Sequence, residues 1–91
     1  MNIDSRVVQS MEMYERASRV IPGWTQLVSR RASSFASGVS PVYAKRAKGS
    51  RFVDVDGNEY IDWVNAVSAV ILGHADDVVD QAVKAQIDHG S

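Results

Sequence analysis

The sequence predicts an α+β fold: an N-terminal helix, a long loop, a three-stranded antiparallel β-meander and a C-terminal helix. Three observations predict it. First, Phe52-Val53-Asp54-Val55-Asp56-Gly57-Asn58-Glu59-Tyr60-Ile61-Asp62-Trp63 reads as two short strands around a tight turn, because apolar and polar side chains alternate on both sides of Asp56-Gly57-Asn58. Glycine and asparagine accept the positive φ that such a turn needs. Second, the chain before and after this hairpin carries apolar residues every three to four positions, the spacing of helices with one buried face. Third, a two-stranded hairpin is marginal in water, so those flanking segments must cover its apolar side.

In chain order, residues 5–20 read as a helix. Val7, Met11, Tyr14 and Ala17 make one apolar stripe, and Ser5 or Ser10 is a candidate N-cap. Ile21-Pro22-Gly23 ends the helix, since Pro22 disfavours helical geometry at Ile21 and Gly23 permits a sharp turn. Residues 22–41 have no clean period and are punctuated by serine, glycine and proline. So long a loop in a small chain is functional or docks on other protein. It carries Trp24, Leu27, Val28 and Phe35 beside Arg30 and Arg31. Arginine in a partly dry loop is the preferred clamp for a carboxylate or phosphate; the bland alternative is a solvated arginine pair. Residues 42–63 form the meander, with Val42–Ala47 as its first strand. Residues 76–89 form the last helix, opened by Asp76 and Asp77, which suit the positive end of the helix dipole. Val79, Ala82, Val83 and Ile87 are its apolar stripe, and Gly90 supplies its stop.

The totals bound the function. Ninety-one residues make one domain or part of one, with 45% apolar and 23% charged residues and a net charge of −1. There is no cysteine, hence no disulfide framework and no thiolate metal site. No apolar run approaches the ~20 residues of a membrane span. The N-terminus lacks the apolar core of a signal peptide, so a cytoplasmic protein fits best. Charge is segregated. Arg16, Arg19, Arg30, Arg31, Lys45, Arg46, Lys48 and Arg51 follow one another without an acid, whereas Asp54 onward holds eight acids and one base, Lys84. A basic surface for a partner is one reading. Two halves that face each other, or further protein, is the other.

Known chemical motifs fail one by one. An EF-hand with Gly57 as its glycine would put Phe52 first and Trp63 last, and neither binds calcium. His74 and His89 have no third ligand at zinc spacing, so His74 reads as a structural hydrogen-bonder at the start of the last helix. No phosphate loop or dinucleotide fingerprint is present. Lys45 and Lys48 are amine nucleophiles by type alone, since a Schiff-base lysine needs a pocket that depresses its pKa.

Five short motifs nevertheless fall in register: Glu15-Arg16-Ala17, Ile21-Pro22-Gly23, Ala47-Lys48-Gly49, Asp54-Val55-Asp56-Gly57-Asn58-Glu59-Tyr60-Ile61-Asp62 and Leu72-Gly73-His74-Ala75. In this order and spacing the sequence resembles the N-terminus of class III aminotransferases, nearest their glutamate-1-semialdehyde 2,1-aminomutase branch. The resemblance covers roughly residues 10–90. It implies the N-terminal part of a pyridoxal 5′-phosphate (PLP) enzyme of fold type I, an α/β protein, and in the complete enzyme amino-group transfer through a PLP aldimine. It also implies a homodimer and a small amino or oxo substrate bearing a carboxylate, with neither nucleic acid nor membrane as partner. No position here matches the family's aldimine lysine, its pyridine-pairing aspartate or its phosphate loop, so the large PLP-binding domain is expected to be absent from these 91 residues and the chain inactive by itself. One site residue carries over: the arginine that pairs with the substrate carboxylate falls at Arg30. Trp24 stands where the family usually has a second glycine. A free-standing, non-enzymatic binding module using the basic 16–51 surface is the competing function.

Overall fold

A computed structural model of the chain describes residues 2–25 and 27–90. A 3-10 turn at Ser5–Val7 leads into helix α1, Val8–Ala17. Two further 3-10 turns, Val28–Arg30 and Ala32–Ser34, lie in the long connection. Strands β1 (Ala44–Lys48), β2 (Arg51–Asp54) and β3 (Glu59–Ile61) form one antiparallel sheet in that order, followed by a short turn at Asn65–Ser68 and helix α2, Asp77–Ile87. The chain divides into two units: Met1–Arg46 with Val53–Glu59, and Ala47–Phe52 with Tyr60–Ser91.

The first unit holds the buried apolar side chains Val7, Met11, Ala17 and Ala32. The α1 stripe therefore packs as its spacing requires, and burying a side chain the size of Val7 or Met11 contributes roughly 1.5–3 kcal/mol. Tyr14, the fourth member, is half-buried and stacks on Trp24 with centroids 5.6 Å apart. Regular α-helix stops at Ala17 rather than at Val20. The last turn tightens, with Arg19 N donating to Arg16 O and Val20 N to Ala17 O. Ile21-Pro22-Gly23-Trp24 then closes a turn through Trp24 N to Ile21 O at 3.0 Å, with Gly23 at φ +77°. Proline second and a positive-φ glycine third is the pattern of a type II turn.

Neither serine caps α1. Ser10 lies inside the helix, fully buried, and its Oγ accepts from Val42 N; Ser5 lies in the 3-10 turn. Asp4 caps that turn through Arg6 N, and Asp56 of the hairpin caps α1.

In the second unit Phe52 and Tyr60 stack across β2 and β3 at 5.1 Å, worth about 0.5–1.5 kcal/mol beyond their burial. Gly49 and His74 exchange two backbone hydrogen bonds of 2.9 Å as an antiparallel bridge. Gly73 sits so close that a Cβ there would lie 2.9 Å from Gly49 Cα. This is the physical content of Leu72-Gly73-His74: a glycine for close backbone approach, then a bridging residue. Helix α2 begins as its acids indicate. Asp76 is the N-cap and accepts from Val78 N and Val79 N at 3.1 and 3.0 Å. Its stripe is not covered, however: Val79, Val83 and Ile87 are all exposed, and no residue of α2 is buried.

Candidate functional site

The hairpin turn is the best-built polar cluster of the first unit. Asp54 is a fully buried carboxylate at the end of β2. Its Oδ1 accepts from Asp56 N at 3.0 Å and Asn58 N at 2.8 Å, and its Oδ2 from Asn58 Nδ2 at 2.9 Å. Burying a charge is costly unless it is hydrogen-bonded, and these donors meet that demand. The side chains of this turn then reach α1. Asp56 accepts from Gln9 N at 2.6 Å and Ser10 N at 2.9 Å, while Asn58 Nδ2 also donates to Arg6 O. Asp-Val-Asp-Gly-Asn is thus a knot: one carboxylate shapes the turn, the other satisfies orphan amides of a helix distant in sequence. The spacing excluded calcium, and among the described residues no group of three or more His, Asp or Glu could hold a metal ion.

The arginines lie in the long connection. An extended loop would point Arg30 and Arg31 to opposite sides. The chain instead winds into two 3-10 turns, with Arg30 closing the first and its N donating to Leu27 O at 3.0 Å. Arg30 is half-buried. The Arg31 guanidinium packs against Gly23, where a Cβ would meet its Nη2 at 2.6 Å, and its Nε is buried without a hydrogen-bond partner among the described residues. Both arginines are half-buried, and they differ in contact: the Arg31 guanidinium is wedged under the Pro22-Gly23 turn. Trp24 adopts φ +68°, the left-handed region glycine favours. Stacking on Tyr14 and a hydrogen bond from Tyr43 Oη to Trp24 O at 3.1 Å hold it there.

His74 is a hydrogen-bonder, but its partner is Asp62 rather than the first turn of α2. Its Nε2 lies 2.6 Å from Asp62 Oδ2. Asp62 Oδ1 also accepts from Val64 N and Asn65 N. The His74 hydrogen bond, then these backbone donors, hold the Asp62 carboxyl below the usual carboxylate range.

The described residues do not fit PLP. Helix N-termini are a ready cradle for a phosphate, and the N-terminal amides of both helices are already taken, by Asp56 at α1 and Asp76 at α2. An aldimine needs a lysine in a pocket. Lys45 and Lys84 are exposed, and the exposed Lys48 ammonium is engaged by Ala75 O at 2.6 Å and Asp77 Oδ1 at 3.2 Å.

Comparison with known proteins fixes the family. The family model described as aminotransferase class-III matches residues 33–91. The 3-aminobutyryl-CoA aminotransferase of Cloacimonas acidaminovorans is 40% identical over 90% of this chain and 20% of its own length. A glutamate-1-semialdehyde 2,1-aminomutase of an Exiguobacterium species is 42% identical over 90% of this chain and 18% of its own. Among solved structures, the glutamate-1-semialdehyde aminomutase of Pseudomonas aeruginosa superposes with a TM-score of 0.81 at 26% identity, over 97% of this chain and 19% of that one. The omega-transaminase of Sphaerobacter thermophilus superposes with a TM-score of 0.71 at 37% identity, over 89% of this chain and 17% of that one. This chain thus spans about a fifth of the length of the curated relatives it matches. With more than half of its residues inside the family model, the chain belongs to the class-III aminotransferase family.

Proposed function

We propose that this chain serves as the N-terminal segment of a PLP-dependent aminotransferase or aminomutase acting on a small amino or oxo substrate that bears a carboxylate, and that Arg30 orients that carboxylate. The observation that carries the reading is the family match over residues 33–91 together with backbone agreement at both a transaminase and an aminomutase. One solved relative is described as a transaminase with PLP bound. When bound, PLP supplies the electron sink for amino-group chemistry. No residue of this chain is assigned to hold it, so the segment's own part is positioning. Arg31 is packed under the Pro22-Gly23 turn, Arg30 is half-buried beside it, and a guanidinium matches a carboxylate in a directional, charge-assisted way. The working protein is read as a cytoplasmic homodimer. Among the described residues no helix is long and apolar enough to cross a membrane. Nothing observed favours the separate binding module: of the basic residues it would use, Arg19 faces Glu15 at 4.0 Å and Lys48 faces Asp77.

The test is Arg30→Ala in a full-length family enzyme carrying this segment. Loss of a hydrogen bond to a charged group costs roughly 1.5–3 kcal/mol, on the order of 10- to 150-fold in kcat/KM for carboxylate-bearing donors. Amines without a carboxylate should be little affected, and Arg30→Lys should recover only part. Equal damage to both substrate classes would make Arg30 a structural residue of its turn.

A further inference from the structure

We propose that the Asp62–His74 pair is a latch that holds residues 65–68 in a left-handed turn, and that its release lets this segment change conformation and reshape the cavity beside it. Asn65, Ala66, Val67 and Ser68 have φ of 57°, 47°, 56° and 75°, and none is glycine. Residues with a Cβ avoid this region, and a β-branched valine avoids it most. Four in succession do not persist by local preference, so something outside the run imposes the geometry.

Its own side chains do not. Val67, Ile71 and Leu72 are 68%, 80% and 69% exposed and bury too little to anchor it. The ends do. At the entry, Asp62 Oδ1 accepts from Val64 N at 2.8 Å and Asn65 N at 3.1 Å. At the exit, His74 is fixed by its two backbone bonds to Gly49. Asp62 Oδ2 and His74 Nε2, 2.6 Å apart and mostly shielded from water, join entry to exit. Asp62 N also donates to Ser50 O at 2.8 Å beside the Gly49–His74 bridge, and the Asp62–His74 side-chain pair closes the loop from 62 to 74 over this backbone pairing, with the strained run inside it. Asp62 and Asn65 also line a cavity of about 280 Å³, with Ser50, Ile71 and Leu72 among its other walls. Movement of Asn65 to right-handed geometry changes that wall. Such an element has two conformations, one favoured by the backbone and one by the latch.

The test is solution NMR on the labelled full chain. The intraresidue HN–Hα contact is short where φ is near +60°, so its cross-peak is strong only for left-handed residues. Strong cross-peaks are expected at residues 65–68 in the unmodified protein. His74→Ala should abolish them while the Phe52–Tyr60 ring contacts and the Gly49 amide stay in place. His74→Gln, which can still donate to Asp62, should restore them in part. Strong cross-peaks that survive His74→Ala, or their absence from the unmodified chain, would overturn the proposal. So would loss of the Phe52–Tyr60 contacts in both variants, because the pair would then be a general support of its unit rather than a latch.

Discussion

Asp56→Ala should unpin the first turn of α1, although the two lie 47 residues apart in sequence. The Asp56 carboxylate accepts from the amides of Gln9 and Ser10 at 2.6 and 2.9 Å, two of the donors that no helical carbonyl can reach. Losing a side-chain cap costs about 1 kcal/mol, and an anion at the positive end of a helix adds roughly 0.3–1 kcal/mol. The amides are part-exposed, so water takes over some of the lost bonding. The expected loss is about 1–2 kcal/mol, read as a roughly 5- to 30-fold fall in hydrogen-exchange protection. The fall should be confined to Gln9, Ser10 and the rest of α1's first turn. The Asn58 amide, bonded to Asp54 Oδ1 at 2.8 Å, should keep its protection. Asp56→Asn should lie between, since it keeps an acceptor and loses the charge. Asp88→Ala removes the same charge from an exposed position at the end of α2 and controls for net charge. If Asp56→Ala and Asp88→Ala leave the Gln9 and Ser10 amides equally protected, the hairpin does not cap the helix and the structural account of Asp-Val-Asp-Gly-Asn is wrong.

Gly73→Ala and Gly90→Ala should differ. Both glycines have positive φ, +95° and +97°, but a Cβ at Gly73 meets Gly49 backbone at 2.9 Å while one at Gly90 meets no atom within 4 Å. Gly73→Ala should therefore cost about 1–3 kcal/mol more, the usual cost of overpacking, seen as a lower urea midpoint; equal midpoints would refute the close approach. Acid should weaken the second unit through Asp62. Its folded carboxyl lies below its ordinary value, so its contribution is complete above the usual carboxylate range and is lost as pH falls through the lowered value. Asp62→Asn should flatten that acid limb in a pH series of stability curves, and an unchanged limb would assign it to another group.

The sequence made local chemistry legible and left long-range partnerships hidden. Asp56-Gly57-Asn58 announces its turn, and Asp76 announces the start of α2, because turn and cap preferences act within four residues. The cap of α1 could not be found that way. Its acceptor, Asp56, comes from the hairpin, and the nearby serines were the plausible local substitutes. Pro22-Gly23 signalled a turn but not the second left-handed residue, since tryptophan carries no such preference and Trp24 is held by Tyr14 and Tyr43. The run at 65–68 lacks any glycine, and the left-handed tolerance of Asn65 alone does not signal four such residues in succession. His74 was legible as structural, yet Asp62 lies twelve positions back and no spacing rule links them. Arg30 stood out by its loop. Its distinction from Arg31 rests on Gly23, which leaves room for one guanidinium under the turn.

Segment exchange shows whether this chain works as the N-terminal segment of a class-III aminotransferase. Residues 1–91 replace the matching segment of the Sphaerobacter thermophilus omega-transaminase, and the purified chimera is examined for PLP absorbance and for transamination of a carboxylate-bearing amine. The chimera should bind PLP and turn over, whereas the isolated chain mixed with PLP should give no dialysis-resistant aldimine band. A chimera that folds and binds PLP but transfers no amino group from any amine, or an isolated chain whose lysine retains PLP after borohydride reduction, would contradict it.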